Sequence, residues 1–194
     1  MTIRPLDIFG KGNFNTIQFL AVFALLSFAF YAYIGVTVPG GKIYFPVLAH
    51  YFDVVSWFAA LLAHGAGALL TLLGYAVKYT YPARLSFATG GGGVSIGYSC
   101  LGVQIMAFWI AFVTAHTAAA WYKMKWMAGG VAAIVLLNMM RIALVSLATH
   151  NHYISILPFD HHTCFNICAY IVVFILLYYF IRSNNKQQTQ AIIA

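Results

Sequence analysis

The sequence is poor in charge, and above all in negative charge. Only 7% of its 194 residues are charged, and three acidic side chains stand against ten lysines and arginines. The chain is also 63% hydrophobic, whereas soluble domains carry about 25% charged residues and far fewer apolar ones. This composition excludes an ordinary soluble domain and predicts a single integral membrane domain over residues 1–194.

The features of a disulfide-rich secreted domain are missing as well. Three cysteines do not make a disulfide framework, and Cys164 and Cys168 are spaced one helical turn apart, where buried thiols are the commoner state. The first dozen residues are mixed and polar, and the first apolar run lacks a small-residue cleavage site. We therefore expect no cleavable signal peptide.

Long apolar runs are what the sequence has in abundance. Residues 17–38, 101–121, 127–149 and 163–181 are each long enough to cross a hydrocarbon core of about 30 Å as a helix. A polar segment at 182–194 follows them and is expected to be a cytoplasmic tail. The sequence thus predicts an all-α polytopic membrane protein, a bundle of about four to six membrane helices.

The segment between the first and second of these runs is more complex. Residues 45–78 are helical in character but interrupted by polar residues and glycines, so they predict either one transmembrane helix or an interfacial, partly re-entrant segment. Residues 79–99 alternate in polarity on both sides of Gly90–Gly93, which predicts a small β-hairpin outside the hydrocarbon core. This hairpin would directly precede Cys100 and its helix.

The basic residues predict how the chain lies in the membrane. They occur singly or in pairs near the ends of apolar runs, which indicates topology signals and no nucleic-acid surface. If the basic residues at 123–125 and 182–186 are cytoplasmic, then Cys100, the end of the helix that carries Arg141, and residues 161–162 all lie on the extracytoplasmic side. A cytoplasmic N-terminus then favours the interfacial or re-entrant form of the segment before the hairpin.

Arg141 is the sharpest single signal. An arginine inside a membrane helix costs several kcal/mol unless it faces a polar cavity or a partner, so it indicates a functional site. Asn138, three residues earlier, shares its helix face and can form hydrogen bonds beside it. A structural arginine that binds the carbonyls of a helix end is the alternative.

Cys100 gains interest from its place at the start of an apolar helix. A membrane cysteine usually behaves as a small hydrophobic residue. At a helix N-terminus, however, the helix dipole and the unpaired amides stabilise a thiolate, which is the nucleophilic form. The backbone amides of Leu101 and Gly102 can also form an oxyanion hole there.

His161 and His162 directly precede the last apolar run. A nucleophilic thiol needs a proton acceptor and later a proton donor for the leaving amine, and histidine serves both roles near neutral pH. Adjacent residues on a helix point about 100° apart, so only one of the two is expected to face Cys100. Asp160 can cap this helix or orient an imidazole, and Asn166 is a supporting residue of the same stretch.

Two other classes of function stay open on the residues alone. Histidines and cysteines crowd the segment 150–168, and such clusters bind zinc, copper or haem iron. No structural-zinc spacing occurs there, and a metal would leave Arg141 and Cys100 without a role. The other class is a small transporter or channel subunit with Arg141 in the substrate path. Ser95 and Ser99 lack the G-x-S-x-G setting of a serine nucleophile.

Three ordered motifs resemble the exosortase/archaeosortase family of membrane transpeptidases. They are Tyr98-Ser99-Cys100-Leu101-Gly102 at the start of one apolar helix, Leu137-Asn138-Met139-Met140-Arg141-Ile142 in the next, and His161-His162 at the start of the last. The similarity runs from about residue 35 to 182. It is in particular to the short exosortases of Bacteroidetes-type bacteria, where a Pro-Gly-Gly loop also follows the first helix.

The resemblance implies a cysteine endopeptidase and transpeptidase that uses no cofactor and no metal. Its substrates would be secreted proteins that end in a short motif, a transmembrane helix and a basic tail. They would be cleaved on the extracytoplasmic face of the bacterial inner membrane and transferred to an envelope acceptor. By position, Cys100 is the nucleophile, Arg141 steadies the thiolate or the oxyanion, and His161 or His162 is the acid and base. Leu-Gly after Cys100 replaces the family's usual Ser-Gly, which bears on the shape of the site.

Overall fold

The structure, a computed structural model, describes residues 15–37, 45–51, 53–80, 83–90, 92–97, 100–151 and 161–193. Six helices and three strands form within these ranges. In chain order they are α1 (Thr16–Thr37), α2 (Pro46–Tyr51), α3 (Val54–Leu72), β1 (Val77–Thr80), β2 (Arg84–Phe87), β3 (Gly93–Ser95), α4 (Val103–Ala115), α5 (Ala120–His150) and α6 (His161–Ile193). The fold is therefore mostly helical, with one small antiparallel sheet.

Three of the described helices are long and apolar enough to cross a membrane. They are α1, α3 and α5, which have 22, 19 and 31 residues. Large apolar side chains are exposed all along α1, for example Ile17 and Phe28, as expected of a helix that faces lipid. These helices indicate a multi-pass membrane protein, and the prediction of a helical polytopic protein is confirmed in that form.

The predicted hairpin at 79–99 is part of a three-stranded antiparallel sheet in the order β1-β2-β3. Its additional strand, β1, begins at Val77, which pairs with Phe87 of β2. Val77–Thr80 is short, and its first two residues belong to the segment 45–78 that looks helical from composition. The predicted boundary at residue 78 therefore falls inside this strand. Leu85 and Phe87 are buried and attach the sheet to the helices.

Helices α1 and α4 run antiparallel, and their contacts fix the depth at which α4 begins. The amide of Asn15, just before α1, donates to the carbonyl of Ala115 at the end of α4, at 2.9 Å. The hydroxyl of Ser27 donates to Oε1 of Gln104 at 3.1 Å. Because Ser27 lies about 16 Å along α1 at 1.5 Å per residue, α4 begins beside the middle of α1 and not beside its end.

The predicted span at 101–121 needs correction, because α4 ends at Ala115. His116 adopts an extended backbone (φ −85°, ψ 147°), and its Nδ1 lies 2.9 Å from the carbonyl oxygen of Phe112. Nζ of Lys123 donates to the carbonyl of Thr114 at 2.9 Å, which places a cation at the negative end of the helix dipole. Apolar residues on both sides of this turn made the run look continuous.

The last two helices are longer than predicted. α5 begins at Ala120 instead of 127, so that its 31 residues extend over about 46 Å. α6 begins at His161 and continues to Ile193, through the segment predicted as a polar tail at 182–194. Polar residues such as those at 183–190 are compatible with a helix once the preceding turns have nucleated it, and hydropathy alone does not mark them as helical.

Both ends of α3 lie near the same end of the bundle. The amide of Val54 donates to the hydroxyl of Tyr33, one turn before the end of α1, at 3.0 Å. Beyond the other end of α3, the ring of Tyr75 packs against that of His150, the last residue of α5, with centroids 6.1 Å apart. Because α3 is also long and apolar enough to span a membrane, the choice between the two forms of residues 45–78 stays a prediction.

Two groups of buried side chains form the interior. The α3 core joins α3, the sheet and the second half of α5, and includes Leu62, Leu85 and Ile142. The Trp109 core joins α4, the first half of α5 and α6 around Trp109 and Phe180. The two cores stabilise opposite ends of α5, so this helix is the element that holds the fold together.

Gly130 of α5 permits the close approach of α4, and its replacement by alanine is expected to destabilise the protein. A Cβ on Gly130 would overlap the indole of Trp109, which is fully buried and whose Nε1 donates to the carbonyl of Trp126 at 3.1 Å. Forcing the indole aside costs about 1–3 kcal/mol. We expect a clear fall in the melting temperature of the purified protein in detergent.

Gly129 provides the matched control for this prediction. A Cβ on Gly129 meets nothing within 4 Å, and alanine is favoured over glycine inside a helix by about 1 kcal/mol. Gly129→Ala should therefore leave the melting temperature unchanged or raise it. Equal shifts for the two neighbouring variants would contradict the packing described for Trp109.

Candidate functional site

Cys100 lies between the sheet and α4, at the point where the chain enters the helix. Its amide donates to the carbonyl of Gly97 at 2.9 Å, and its side chain is half-buried against the α3 core. The chain reaches α4 through Gly102, which has φ +71°. This left-handed conformation favours glycine, so the turn between Cys100 and α4 depends on a glycine at this position.

The helix after Cys100 begins two residues later than predicted. The amides of Ile105 and Met106 both donate to the carbonyl of Gly102 at 3.1 Å, which makes Val103 the first helical residue. The backbone amides of Val103 and Gln104 consequently have no acceptor within the helix. Leu101 and Gly102, whose amides were the predicted oxyanion donors, precede the helix, and Leu101 is buried in the α3 core.

Asn138 joins α5 to the backbone of Cys100. Its Nδ2 donates to the carbonyl oxygen of Cys100 at 2.6 Å, and the residue is only 2% exposed. If the Asn138 amide were rotated by 180°, its Oδ1 would face the carbonyl oxygen of Cys100 at this distance. The hydrogen bond therefore sets the orientation of the side chain. The sequence predicted Asn138 as a supporting residue beside Arg141, but it did not predict this link to Cys100.

The other end of the same amide has no hydrogen-bond partner in the part of the chain that the structure describes. Oδ1 of Asn138 is fully buried and accepts nothing there. Buried amide oxygens are almost always paired, and leaving one unpaired costs about 1–3 kcal/mol. An unpaired acceptor at this place indicates a donor that binds from outside the described chain.

Arg141 lies one helical turn after Asn138, on the same face of α5. It is 9% exposed, and it is about 13 Å from the end of α5 at His150, counted as nine residues at 1.5 Å. A buried arginine at this depth faces a protein cavity and not lipid. The positive charge and the Asn138 amide are therefore presented side by side.

A cavity of about 340 Å³ lies at these residues. Gly102, Asn138 and Arg141 supply its polar floor, together with the start of α4. α1 and α6 form its walls, which are apolar except for the hydroxyls of Tyr31 and Tyr170. The structure thus brings Asn138, Arg141 and the turn after Cys100 to one enclosed space of the size of a ligand site.

Cys100 itself is not among the described residues that line this cavity. It packs against the α3 core, and two members of that packing layer, Phe30 and Ile34, also line the cavity. Its carbonyl reaches the cavity floor through the bond to Asn138. Cys100 is therefore joined to the cavity through its backbone carbonyl.

The predicted acid and base, His161 and His162, open α6, which begins at His161. Their side chains, the side chain of Asn166 and the whole of Asp160 lie outside the described part of the chain. The choice between the two histidines, and the two roles considered for Asp160, stay predictions. On the backbone, the histidines begin the helix that forms one wall of the cavity.

The metal alternative at 150–168 falls largely on side chains outside the described part of the chain. No group of three His, Cys, Asp or Glu side chains close enough to hold an ion occurs among those described. Of the predicted cluster, His150 is described, and its ring stacks on that of Phe87 with centroids 4.0 Å apart. The metal site and the predicted absence of a cofactor both stay untested.

The sequence did not predict the cavity walls. Tyr31 in α1 and Tyr170 in α6 look like ordinary aromatic residues of apolar helices, and nothing in their spacing shows that the two helices face one floor. Gln104 was also missed. A polar side chain one turn into an apolar helix was the available signal, and in the structure Gln104 binds Ser27 and borders the cavity.

Comparison with known proteins yields no relative. No protein-family model matches the chain, and no curated protein and no solved structure matches it. The resemblance of the three motifs therefore stands on the sequence, and the function has to be argued from the arrangement of Cys100, Asn138 and Arg141.

Proposed function

We propose that this protein is a membrane-embedded cysteine transpeptidase or protease of the exosortase type. It cleaves the C-terminal sorting signals from secreted proteins and transfers the new carboxyl end of each protein to a cell-envelope acceptor. The observation that carries the proposal is the 2.6 Å hydrogen bond from Asn138 to the Cys100 carbonyl. Through this bond the nucleophile and the arginine, 41 positions apart in the sequence, belong to one site.

The proposed reaction begins with attack of the Cys100 thiolate on the carbonyl carbon of the scissile peptide bond. The resulting oxyanion is stabilised by the charge of Arg141 and by the amides of Val103 and Gln104 at the start of α4. Collapse of this intermediate breaks the C–N bond. The leaving amine takes a proton from the imidazolium of His161 or His162, and a thioester to Cys100 remains.

The thioester is then resolved by a second nucleophile. An amine of the envelope acceptor attacks the thioester carbonyl and loses a proton to the neutral histidine, the C–S bond breaks, and Cys100 is released as the thiolate beside the imidazolium, which completes transpeptidation. Water in place of the amine gives hydrolysis, with the same bonds broken at the enzyme. No redox step and no cofactor enter this scheme.

The proposed location is the bacterial inner membrane, with the site on the extracytoplasmic side. Lys123 and Lys125 lie near the start of α5, at the end of the bundle opposite to Cys100, and cytoplasmic lysines are the rule at such ends. With residues 45–78 in the interfacial or re-entrant form, this orientation agrees with a cytoplasmic N-terminus. The partners are the lipid bilayer, the secreted substrates and the acceptor, with no nucleic acid.

The test is a processing assay in membranes. The chain is co-expressed with each secreted protein of the same genome that ends in a short motif, an apolar helix and a basic tail. We expect at least one such reporter to be shortened only when the chain is present. We also expect a covalent adduct between the chain and this reporter, which hydroxylamine cleaves because it is a thioester. If every reporter stays full-length beside correctly inserted protein, or if the genome encodes none, the proposal fails.

A further inference from the structure

The cavity beside Cys100 carries an inference about how a substrate is held. Oδ1 of Asn138 is buried and has no hydrogen-bond partner among the described residues, and Asn138 lines the cavity. Its Nδ2 is already committed to the Cys100 carbonyl. The side chain is therefore fixed with one acceptor left over, and this acceptor requires a donor.

The cavity also shows from which direction that donor comes. Tyr31 of α1 and Tyr170 of α6 both line the cavity, and they are 62% and 56% exposed. Side chains that line a cavity and are more than half exposed mark its mouth. The mouth opens between two apolar helices, on the surface that faces lipid, so an occupant can arrive sideways from the bilayer.

The chemistry of the walls and of the floor restricts the occupant. The walls are mostly apolar, while the floor offers one neutral acceptor in Asn138 and one fixed cation in Arg141. A lipid chain has no donor for Asn138. A polypeptide supplies a backbone N–H for the acceptor and apolar side chains for the walls.

The acceptor of Asn138 decides which part of a polypeptide fits. The N–H groups inside an α-helix are already bonded to its own carbonyls, and only the first four are unpaired. The donor must therefore come from the first turn of the substrate's membrane helix or from the extended residues just before it.

We propose that Asn138 is a positioning residue that accepts a hydrogen bond from an unpaired N–H at the start of the substrate's membrane helix, which arrives between α1 and α6. This inference rests on the proposed function. One amide then holds the substrate backbone through Oδ1 and the Cys100 backbone through Nδ2. The distance between the held N–H and the Cys100 backbone is then set by a single planar group.

A proline scan of a processed reporter tests this hydrogen bond. Proline lacks the N–H and is tolerated at the first position of a helix, so it is introduced singly across the motif–helix junction, with alanine at the same positions as the control. We expect one position where proline, but not alanine, slows wild-type processing about tenfold or more. In the Asn138→Ala protein the same proline should have little additional effect.

Independent effects would overturn the inference. If Oδ1 binds only water, the substitution Asn138→Ala and the proline act independently. The fold reduction in processing for the combination is then the product of the two single reductions. Loss of all processing in every protein, including the wild type, would instead count against the proposed function. The two failures are therefore distinguishable in one set of reporters.

Cross-linking supplies a second measurement that does not need an active Asn138 variant. A benzophenone amino acid is placed at Tyr31 or Tyr170 in a Cys100→Ala background, which retains uncleaved reporter. Tyr179 is the control, because it is exposed on α6 but lies nine residues after Tyr170, on the opposite face. We expect reporter adducts from the two mouth positions and not from Tyr179. Adducts with lipid alone, or equal adducts from all three, would contradict lateral access between α1 and α6.

Discussion

Cys100→Ala is expected to abolish processing of a tripartite-tail reporter, by a factor of about 10³ or more. The thiolate forms the covalent bond to the substrate, and removal of a covalent nucleophile is among the most costly changes in an enzyme. The side chain is half-buried beside the α3 core, and its truncation leaves the Asn138 bond intact, because that bond uses the backbone. The shortened fraction of reporter is followed over time by immunoblot.

The chain offers matched controls for this variant in its other two cysteines. Cys164→Ala and Cys168→Ala each remove a thiol from the same molecule, and processing should continue. Cys100→Ser keeps a hydroxyl of similar size, which is a far weaker nucleophile, and should be nearly as inactive as the alanine variant. Normal processing by well-inserted Cys100→Ala protein would end the proposed function.

Arg141→Met is expected to reduce processing about 10²- to 10³-fold per folded molecule. The arginine is 9% exposed and borders the cavity, where loss of one preorganised group that stabilises an oxyanion typically costs about 3–4 kcal/mol of transition-state stabilisation. Removing one partner of a buried charged contact destabilises a fold, so cleavage rates are expressed per folded molecule. Rates of reporter cleavage and the melting temperature are measured on the same preparations.

Arg84→Met is the control, because Arg84 is an exposed arginine on β2. It removes the same charge from the same chain and should leave the rate unchanged. Arg141→Lys keeps the charge but loses the planar fork of donors, so we expect it to recover only part of the activity. A structural arginine would give a different result for Arg141→Met: an unchanged cleavage rate per folded molecule.

Much of the helical fold follows from local sequence properties. A run of apolar residues must satisfy its backbone hydrogen bonds internally in a membrane, which is why α1 agrees closely with the run at 17–38. The turn at 116–119 is different. It depends on the contacts of Asn15 with Ala115 and of Lys123 with Thr114, and no hydropathy window contains partners that are distant in the sequence.

The site divides in the same way. Asn138 and Arg141 could be predicted as neighbours because their spacing on a helix places them on one face. The bond from Asn138 to Cys100 joins residues 38 positions apart, and the cavity needs α1 and α6 as walls. Packing between elements decides both features, and helical periodicity does not encode which helices become neighbours.

The short length of α4 sets the depth in the membrane at which the proposed enzyme holds its site. With 13 residues, α4 is about 20 Å long, against a hydrocarbon core of about 30 Å. In the proposed orientation, with the end of α4 at the cytoplasmic boundary of the core, its first residue lies about 10 Å below the outer boundary. An extended chain covers that depth in about three residues. On the proposed function, the number of residues between the cleaved bond and the anchoring helix of the substrate becomes a quantity that the enzyme measures, independently of what those residues are.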